Sequence, residues 1–273
     1  MAKSESIIII GGGAAGLIAA RELSINNRVT LLEADNRLGG RIYTIHGHGF
    51  TRPVEGGAEF IHGNLQLTMQ LLKEAGIGFK KTGGRMYSFS NGKWNEREEE
   101  TDGWESLMKK MSTLKEDTTL QNFLQQHFSD EKFFKLREWA TRFTEGFDAA
   151  DPAKVSVFFL RDEWMQEDHQ QYRVTGGYGL LVNYLENECK KNGCEIYIDS
   201  NVTQIEWVKG NVSIYTEDKR KFIAEKVIIT VPVSILQKKA LSITPEINEY
   251  INAAGDIGYG GVIKVLLEFK TAF

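Results

Sequence analysis

The sequence predicts an α/β fold in which a domain with a parallel sheet and a β-meander is interleaved with a mixed α+β domain. A run of four isoleucines at residues 7–10 is typical of a parallel strand buried on both faces. The pattern G-x-G-x-x-G follows directly at residues 11–16, and a second apolar run at residues 29–32 ends at Glu33. This order of strand, glycine turn, helix and strand is that of a Rossmann-like domain.

The glycine turn predicts how a dinucleotide is held. The first glycine permits a tight turn, the second lets the backbone approach a pyrophosphate, and the third lets the helix pack closely on the strand. The helix predicted from residue 14 to about residue 24 directs its free N–H groups and partial positive charge at the phosphates. Glu33 lies where a carboxylate accepts ribose hydroxyls. The predicted binding residues are Gly11, Gly13, Ala14, Ala15, Gly16 and Glu33.

Two further segments resemble the flavin monoamine oxidase family. Residues 33–41 are similar to the E-A-x-x-R-x-G-G-R run of flavin-dependent oxidases and desaturases, and residues 55–63 to the G-A-x-aromatic-x-H-G segment of polyamine oxidases. The resemblance extends over nearly the whole chain, to residues 260–264. A nicotinamide dehydrogenase has no use for these segments, so the resemblance implies FAD as the cofactor.

The resemblance also implies which residues contact the flavin cofactor. They are Ala34, Gly40, Arg41, Gly56, Gly57, Ala58, Glu59, Phe60 and Val202. The run from Gly56 to Glu59 would contact the flavin mainly through its backbone, and the backbone of Val202 would meet the adenine. Phe60 stands where many relatives carry a larger aromatic residue, so ring contacts differ there.

Lys264 and His62 are the catalytic candidates. In the family, a lysine at this strand position holds a water beside the flavin, whereas strand alternation alone predicts that Lys264 is a solvated lysine on the polar face with Glu268. A lysine desolvated there would have a lowered pKa. His62 is either an exposed loop histidine or, as the resemblance implies, a substrate-facing one that hydrogen-bonds an amine or water.

The remaining pattern predicts the domain division. An FAD-binding domain is predicted at residues 1–78 and 175–235, and a substrate domain, incomplete at its C-terminus, at residues 79–174 and 236–273. Helices are predicted at 65–75, at three places between 104 and 147, and at 180–191, and a hairpin between 79 and 94. The meander is predicted from strands at 195–198, 202–208, 212–216 and 226–231, with a last strand at 262–269.

Composition excludes several classes of function. The 273-residue chain has a formal net charge of −4, so it has no overall excess of positive charge with which to bind nucleic acid. The N-terminal apolar run of four residues is too short for a signal peptide or a membrane span. The two cysteines, Cys189 and Cys194, do not indicate a disulfide framework, so a reducing, cytoplasmic location is predicted. No metal site is predicted, since His46 and His48 are only a weak pair.

The implied activity is FAD-dependent oxidation of an amine, with a polyamine favoured, to an imine or aldehyde with release of hydrogen peroxide. The alternatives are a flavin desaturase or porphyrinogen-type oxidase, and a dinucleotide-binding module without catalysis. Chains of this family are much longer, so we expect a truncated piece. Such a piece would hold FAD weakly or not at all, turn over no amine and self-associate through an exposed strand near residues 262–273.

Overall fold

The computed structural model describes residues 4–83, 87–90, 92–96, 102–166 and 170–270. The chain divides into two compact units. The first comprises Met1–Lys80, Tyr172–Ile257 and Lys264–Phe273, and the second comprises Lys81–Gln171 and Gly258–Ile263. Residues 236–257, which were assigned above to a substrate domain, pack within the first unit. The functional division into an FAD domain and a substrate domain stays a prediction.

The N-terminal part of the first unit has the predicted strand, helix and strand. The elements are β1 (Ser6–Ile10), α1 (Ala14–Ser24), β2 (Arg28–Leu32), β3 (Thr44–Ile45), β4 (Val54–Glu55), β5 (Phe60–His62), α2 (Gln66–Glu74) and β6 (Phe79–Lys81). The predicted strands at 7–10 and 29–32 and the predicted helices at 14–24 and 65–75 are confirmed within one residue at each end.

Over its described residues, the second unit contains a hairpin and four helices. They are β7 (Tyr87–Ser90), β8 (Lys93–Glu96), α3 (Trp104–Ser112), α4 (Leu120–His127), α5 (Phe134–Gly146) and α6 (Val157–Gln166), with a short 3₁₀ turn at Glu131–Phe133. The predicted hairpin and three helices are confirmed over the described residues, whereas Met86, Asn91 and residues 97–100 lie outside them. The sequence did not predict α6, whose Val157, Leu160 and Trp164 are buried in the helical core.

The chain then returns to the first unit. Its elements are β9 (Gln171–Val174), α7 (Gly179–Lys191), β10 (Glu195–Tyr197), β11 (Val202–Val208), β12 (Asn211–Thr216), β13 (Lys221–Ala224), β14 (Lys226–Ile229), α8 (Val233–Gln237), β15 (Ser242–Thr244) and α9 (Asn248–Asp256). The helix predicted at 180–191 is confirmed as α7. None of the helices in the described part of the chain is long and apolar enough to cross a membrane.

Two four-stranded sheets form the centre of the first unit. The parallel sheet has the order β10-β2-β1-β14, and the second sheet has the order β13-β12-β11-β15. The prediction that residues 195–198 and 226–231 belong to the meander is therefore wrong. Both segments flank the first two strands because their apolar residues, such as Ile196 and Ile228, pack on the core beneath α1 and α7. The predicted α/β class with a parallel sheet and a meander is confirmed.

The strand predicted at residues 262–269 is absent. Residues 258–270 form no regular element, and no strand in the described ranges pairs with them. Without ladder hydrogen bonds the segment is held by side chains, such as Glu268, whose carboxylate accepts hydrogen bonds from the backbone and hydroxyl of Thr51. Those bonds hold the pKa of Glu268 below its ordinary value.

Candidate cofactor and substrate site

The glycine turn between β1 and α1 is built by close backbone contacts. Gly11 adopts a left-handed φ of +107°, and its N–H donates to the carbonyl of Leu32 at 2.8 Å, which joins the turn to β2. A Cβ on Gly16 would overlap the carbonyl oxygen of Gly11. The hydroxyl of Thr230, just after β14, donates to Gly11 at 3.0 Å and closes the turn from the other side. The turn is therefore rigid and tolerates no side chain at position 16.

The start of α1 carries no side-chain cap. Its N-cap residue is Gly13, which has no side chain, and a Cβ added there would meet nothing within 4 Å. Ala14 is half-buried and Ala15 exposed, so the first-turn N–H groups lie near the surface. A helix start of this kind fits a phosphate group. These residues thus fit the pyrophosphate of a dinucleotide.

Glu33 directly follows β2 and lies beside this turn. One carboxylate oxygen accepts the N–H of Gly12 at 2.6 Å, and the other accepts the N–H of Asp35 at 2.8 Å. A carboxylate has about four acceptor positions, so capacity for ribose hydroxyls remains. Ala34 is exposed next to Glu33. The structure therefore gives Glu33 a second task that the sequence did not predict, which is to hold the glycine turn.

We expect Glu33→Ala to weaken FAD binding and to destabilise the fold. The N–H of the buried Gly12 loses its acceptor, which costs about 1–3 kcal/mol of unfolding free energy. Urea unfolding and FAD titration of the same samples measure both effects. Glu33→Gln is the matched control, since its amide oxygen still accepts from Gly12. If FAD affinity is unchanged in Glu33→Ala, the ribose does not lie at this carboxylate.

A loop carrying Gly40 and Arg41 connects the turn to the next segment. Arg37 folds back over this loop, donating to the carbonyl of Gly40 at 2.9 Å and lying 4.2 Å from the centre of the Tyr43 ring. The carbonyl of Arg41 accepts the N–H of Ala58 at 2.8 Å. Gly57 approaches the same carbonyl so closely that a Cβ would overlap it. Arg41 therefore brings the two predicted cofactor segments together.

The segment from Gly56 to Phe60 is tied to Lys264. The ammonium of Lys264 donates to the carbonyl of Gly57 at 3.1 Å and to the carboxylate of Glu59 at 2.8 Å. Arg173 of β9 pairs with the other oxygen of Glu59, and its guanidinium lies 4.7 Å from the centre of the Phe60 ring. The Glu59 side chain is about one-quarter exposed. Glu59 is thus shared by two cations, and Lys264 is paired with a carboxylate, while its catalytic role stays a prediction.

His62 and Val202 are the remaining predicted site residues. His62 is exposed at the end of β5, with its ring 6.0 Å from that of Phe60 in an edge-on orientation. Val202 begins β11 and is buried. The chain just before it is fixed to β2, because the N–H of Ser200 donates to the carbonyl of Glu33 at 2.8 Å. Their contacts with substrate and adenine stay predictions.

Three polar residues that position the site were missed by sequence reasoning. Thr230 braces the glycine turn, as described above. Glu55 accepts the N–H of Tyr178 at 2.7 Å and the hydroxyl of Thr44 at 2.8 Å, and that hydroxyl accepts the N–H of Gly179 at 2.8 Å. Glu55 and Thr44 thereby hold the start of α7. The only sequence signal was the glycine-rich run before that helix, since the partners are distant in the chain.

Comparison with known sequences identifies the family of the chain. A profile of the family described as "Flavin containing amine oxidoreductase" matches residues 14–273. The chain is 28% identical to Polyamine oxidase 4 of Oryza sativa subsp. japonica over 100% of its own length and 60% of the relative. It is 27% identical to human Lysine-specific histone demethylase 2, over 99% of this chain and 35% of that protein. The chain therefore spans about 60% of the length of the polyamine oxidases that it matches.

Solved structures show the same fold. Cyclohexylamine oxidase from Brevibacterium oxydans IH-35A superposes with a TM-score of 0.75 at 17% identity, covering 93% of this chain and 63% of that one. Wild-type putrescine oxidase bound to putrescine gives 0.68 at 17% identity, covering 89% and 61%. The family match covers nearly the whole sequence and includes both segments that meet at Arg41. The chain belongs to the family of flavin-containing amine oxidoreductases.

Proposed function

We propose that this chain is built to oxidise an amine, with a polyamine as the favoured substrate, using FAD and oxygen and releasing hydrogen peroxide. The observation that carries the proposal is the contact of Lys264 with Gly57 and Glu59, within the segment that resembles polyamine oxidases. The family match confirms the predicted FAD cofactor. When bound, FAD supplies the two-electron oxidation, while the protein supplies binding, orientation and electrostatics.

Different residues of the chain would bind different parts of FAD. The N–H groups of Ala14 and Ala15 at the start of α1 would bind the pyrophosphate across the open space at Gly13. Glu33 would accept the ribose hydroxyls with its remaining lone pairs. The backbone of residues 56–60 would run along the flavin ring.

His62 is the residue that we propose to face the amine. Glu59 is less suited to bind a cationic substrate, because Lys264 and Arg173 already pair with its carboxylate. The exposed imidazole of His62 can accept a hydrogen bond from an amine or from water. Lys264 would orient a water through the donor that Gly57 and Glu59 leave free.

FAD binding by the purified chain tests the cofactor part of the proposal. We expect FAD to bind and NAD not to displace it in a fluorescence titration. Even weak binding distinguishes FAD from NAD in this titration. Retention of NAD alone would contradict the flavin assignment and favour a different dinucleotide-binding module.

Amine oxidation is tested with a panel of amines and a peroxide readout. The panel comprises spermine, spermidine, putrescine and benzylamine. Both the chain and a fusion protein are assayed, where the fusion adds the portion of rice Polyamine oxidase 4 that the chain does not span. We expect polyamine-dependent peroxide from the fusion. If a folded fusion that retains FAD oxidises no amine, the proposal is wrong and a desaturase or porphyrinogen-type oxidase becomes the better candidate.

We also propose self-association through the segment near the C-terminus. Val262, Ile263, Val265 and Leu267 are 74%, 92%, 73% and 73% exposed, and such an apolar stretch favours contact with another copy. We expect the mass measured by light scattering to rise with protein concentration. The double variant Val265→Glu/Leu267→Glu should remain monodisperse. Wild-type protein that is monomeric at every concentration contradicts this proposal.

A further inference from the structure

We propose that Cys189 and Cys194 are a modification site at which hydrogen peroxide forms a reversible disulfide. Both side chains are buried free thiols in the first unit, at the end of α7 and before β10. Neither thiol takes part in the amine site. The proposal does not depend on the proposed function, because the peroxide is supplied from solution.

The helix end brings the two thiols together. Gly193 has a φ of +80° and donates to the carbonyl of Lys190 at 3.0 Å, while the N–H of Cys194 donates to the carbonyl of Cys189 at 2.9 Å. This pair of bonds is a Schellman motif, in which the side chains at the positions of Cys189 and Cys194 meet. Each thiol donates to a neighbouring carbonyl, Cys189 to Leu17 at 3.4 Å and Cys194 to Glu195 at 3.6 Å, so the motif alone brings the two sulfur atoms close. Little movement is therefore needed to join their sulfur atoms.

The surroundings make the two thiols unequal. The neighbouring Cys194 side chain lowers the pKa of the Cys189 thiol, burial and the charge of Glu186 oppose this, and the charge of Arg21 assists it. The neighbouring Cys189 side chain and burial raise the pKa of the Cys194 thiol. Arg21 is held in place by Glu74 at 2.9 Å. Cys189 is thus the thiol that reaches the thiolate form first, and the thiolate is the nucleophile.

A route for the oxidant leads through the turn after α7. Lys191, Gly193 and Glu195 are exposed, and Cys194 retains a 6% exposed fraction beneath them. The turn is the end of a helix beside an edge strand, where local opening requires the least free energy. Brief fraying of this turn admits a peroxide molecule without unfolding the sheet.

The chemistry balances in two steps. The Cys189 thiolate attacks one oxygen of hydrogen peroxide, the O–O bond breaks, and the sulfur becomes a sulfenic acid as hydroxide leaves and takes up a proton to give water. The Cys194 sulfur then attacks the Cys189 sulfur, an S–S bond forms, and a second water leaves. Two thiols are oxidised by two electrons and one peroxide is reduced to two waters.

Oxidation would alter contacts behind the glycine turn. The Cys189 thiol donates to the carbonyl of Leu17 in α1 at 3.4 Å, and Leu17 directly follows Gly16. A disulfide has no S–H, so this contact between α7 and α1 is lost on oxidation. The loop between Cys189 and Cys194 is short, so closing it adds little to the stability of the fold. The disulfide would therefore act mainly as a reversible switch.

The experiment treats the reduced, folded chain with hydrogen peroxide, alkylates the remaining thiols and sequences the peptides by mass spectrometry. We expect both thiols to disappear together, the linking peptide to lose two hydrogens, and dithiothreitol to restore both. Cys194→Ala is the matched variant, in which oxidised Cys189 cannot be resolved and should be trapped by dimedone as a sulfenic acid.

Two results would overturn the proposal. In one, peroxide leaves both thiols of the folded protein reduced, as later alkylation shows, and oxidises them only when urea is present. In the other, either cysteine goes directly to sulfinic or sulfonic acid without a linked peptide. Wild-type protein alone is sufficient for both readouts, so the test stands even if Cys194→Ala does not fold.

Discussion

Replacing Gly16 with alanine should destabilise the first unit and abolish FAD binding. The added Cβ would overlap the carbonyl oxygen of Gly11 and lie 2.9 Å from the hydroxyl of Thr230. Neither atom can move easily, because one is backbone and Thr230 is fixed by two hydrogen bonds, to Ile10 and Gly11. Overpacking of this kind costs about 1–3 kcal/mol. Urea unfolding and FAD titration measure the two losses.

Gly13→Ala separates ligand binding from folding. Gly13 has a φ of −74°, which alanine adopts, and its Cβ would meet no protein atom within 4 Å. Stability should therefore remain that of the wild type, while the methyl group obstructs the pyrophosphate. Loss of one charge-assisted hydrogen bond, about 1.5–3 kcal/mol, corresponds to at least tenfold weaker FAD binding. Undiminished FAD affinity in Gly13→Ala would mean that the pyrophosphate binds elsewhere.

The sequence predicted the elements whose signals are local. A buried strand, a glycine turn and an amphipathic helix each have a period or a residue type that identifies them within a few positions. The start of α1 at Ala14 and the end of α7 at Lys191 were found in this way. The two segments that meet at Arg41 were found because their residue patterns are specific.

Long-range partners could not be predicted. Strand assignment to β10 or β14 depends on neighbours far along the chain, and the short apolar runs fit either sheet. Thr230 and Glu55 are ordinary residues in the sequence, and their tasks arise from atoms that folding brings within hydrogen-bond distance. The alternation around Lys264 predicted a strand that the structure does not contain, and whether a side chain there meets protein or water has no local signal.

Lys264→Met should lower amine-dependent peroxide release by the fusion protein by about 100-fold or more, which is the usual contribution of a positioned proton-handling side chain. The ammonium contacts Gly57 and Glu59 and has a third donor for a water, whereas methionine fills a similar volume without any donor. FAD affinity should change little, because we propose that α1 and Glu33 hold the pyrophosphate and ribose. Steady-state rates and FAD titration of the same preparation give both quantities.

The matched control is Lys209→Met, which removes an exposed lysine from the turn between β11 and β12 and should leave both quantities unchanged. Glu59→Gln provides a second comparison, since Lys264 would keep the carbonyl of Gly57 but lose its charged partner. We expect its rate to fall between those of the wild type and Lys264→Met, because the ammonium remains but is less firmly held. Equal rates in Lys264→Met and Lys209→Met would show that Lys264 only joins its segment to the fold, and that the amine is oxidised without it.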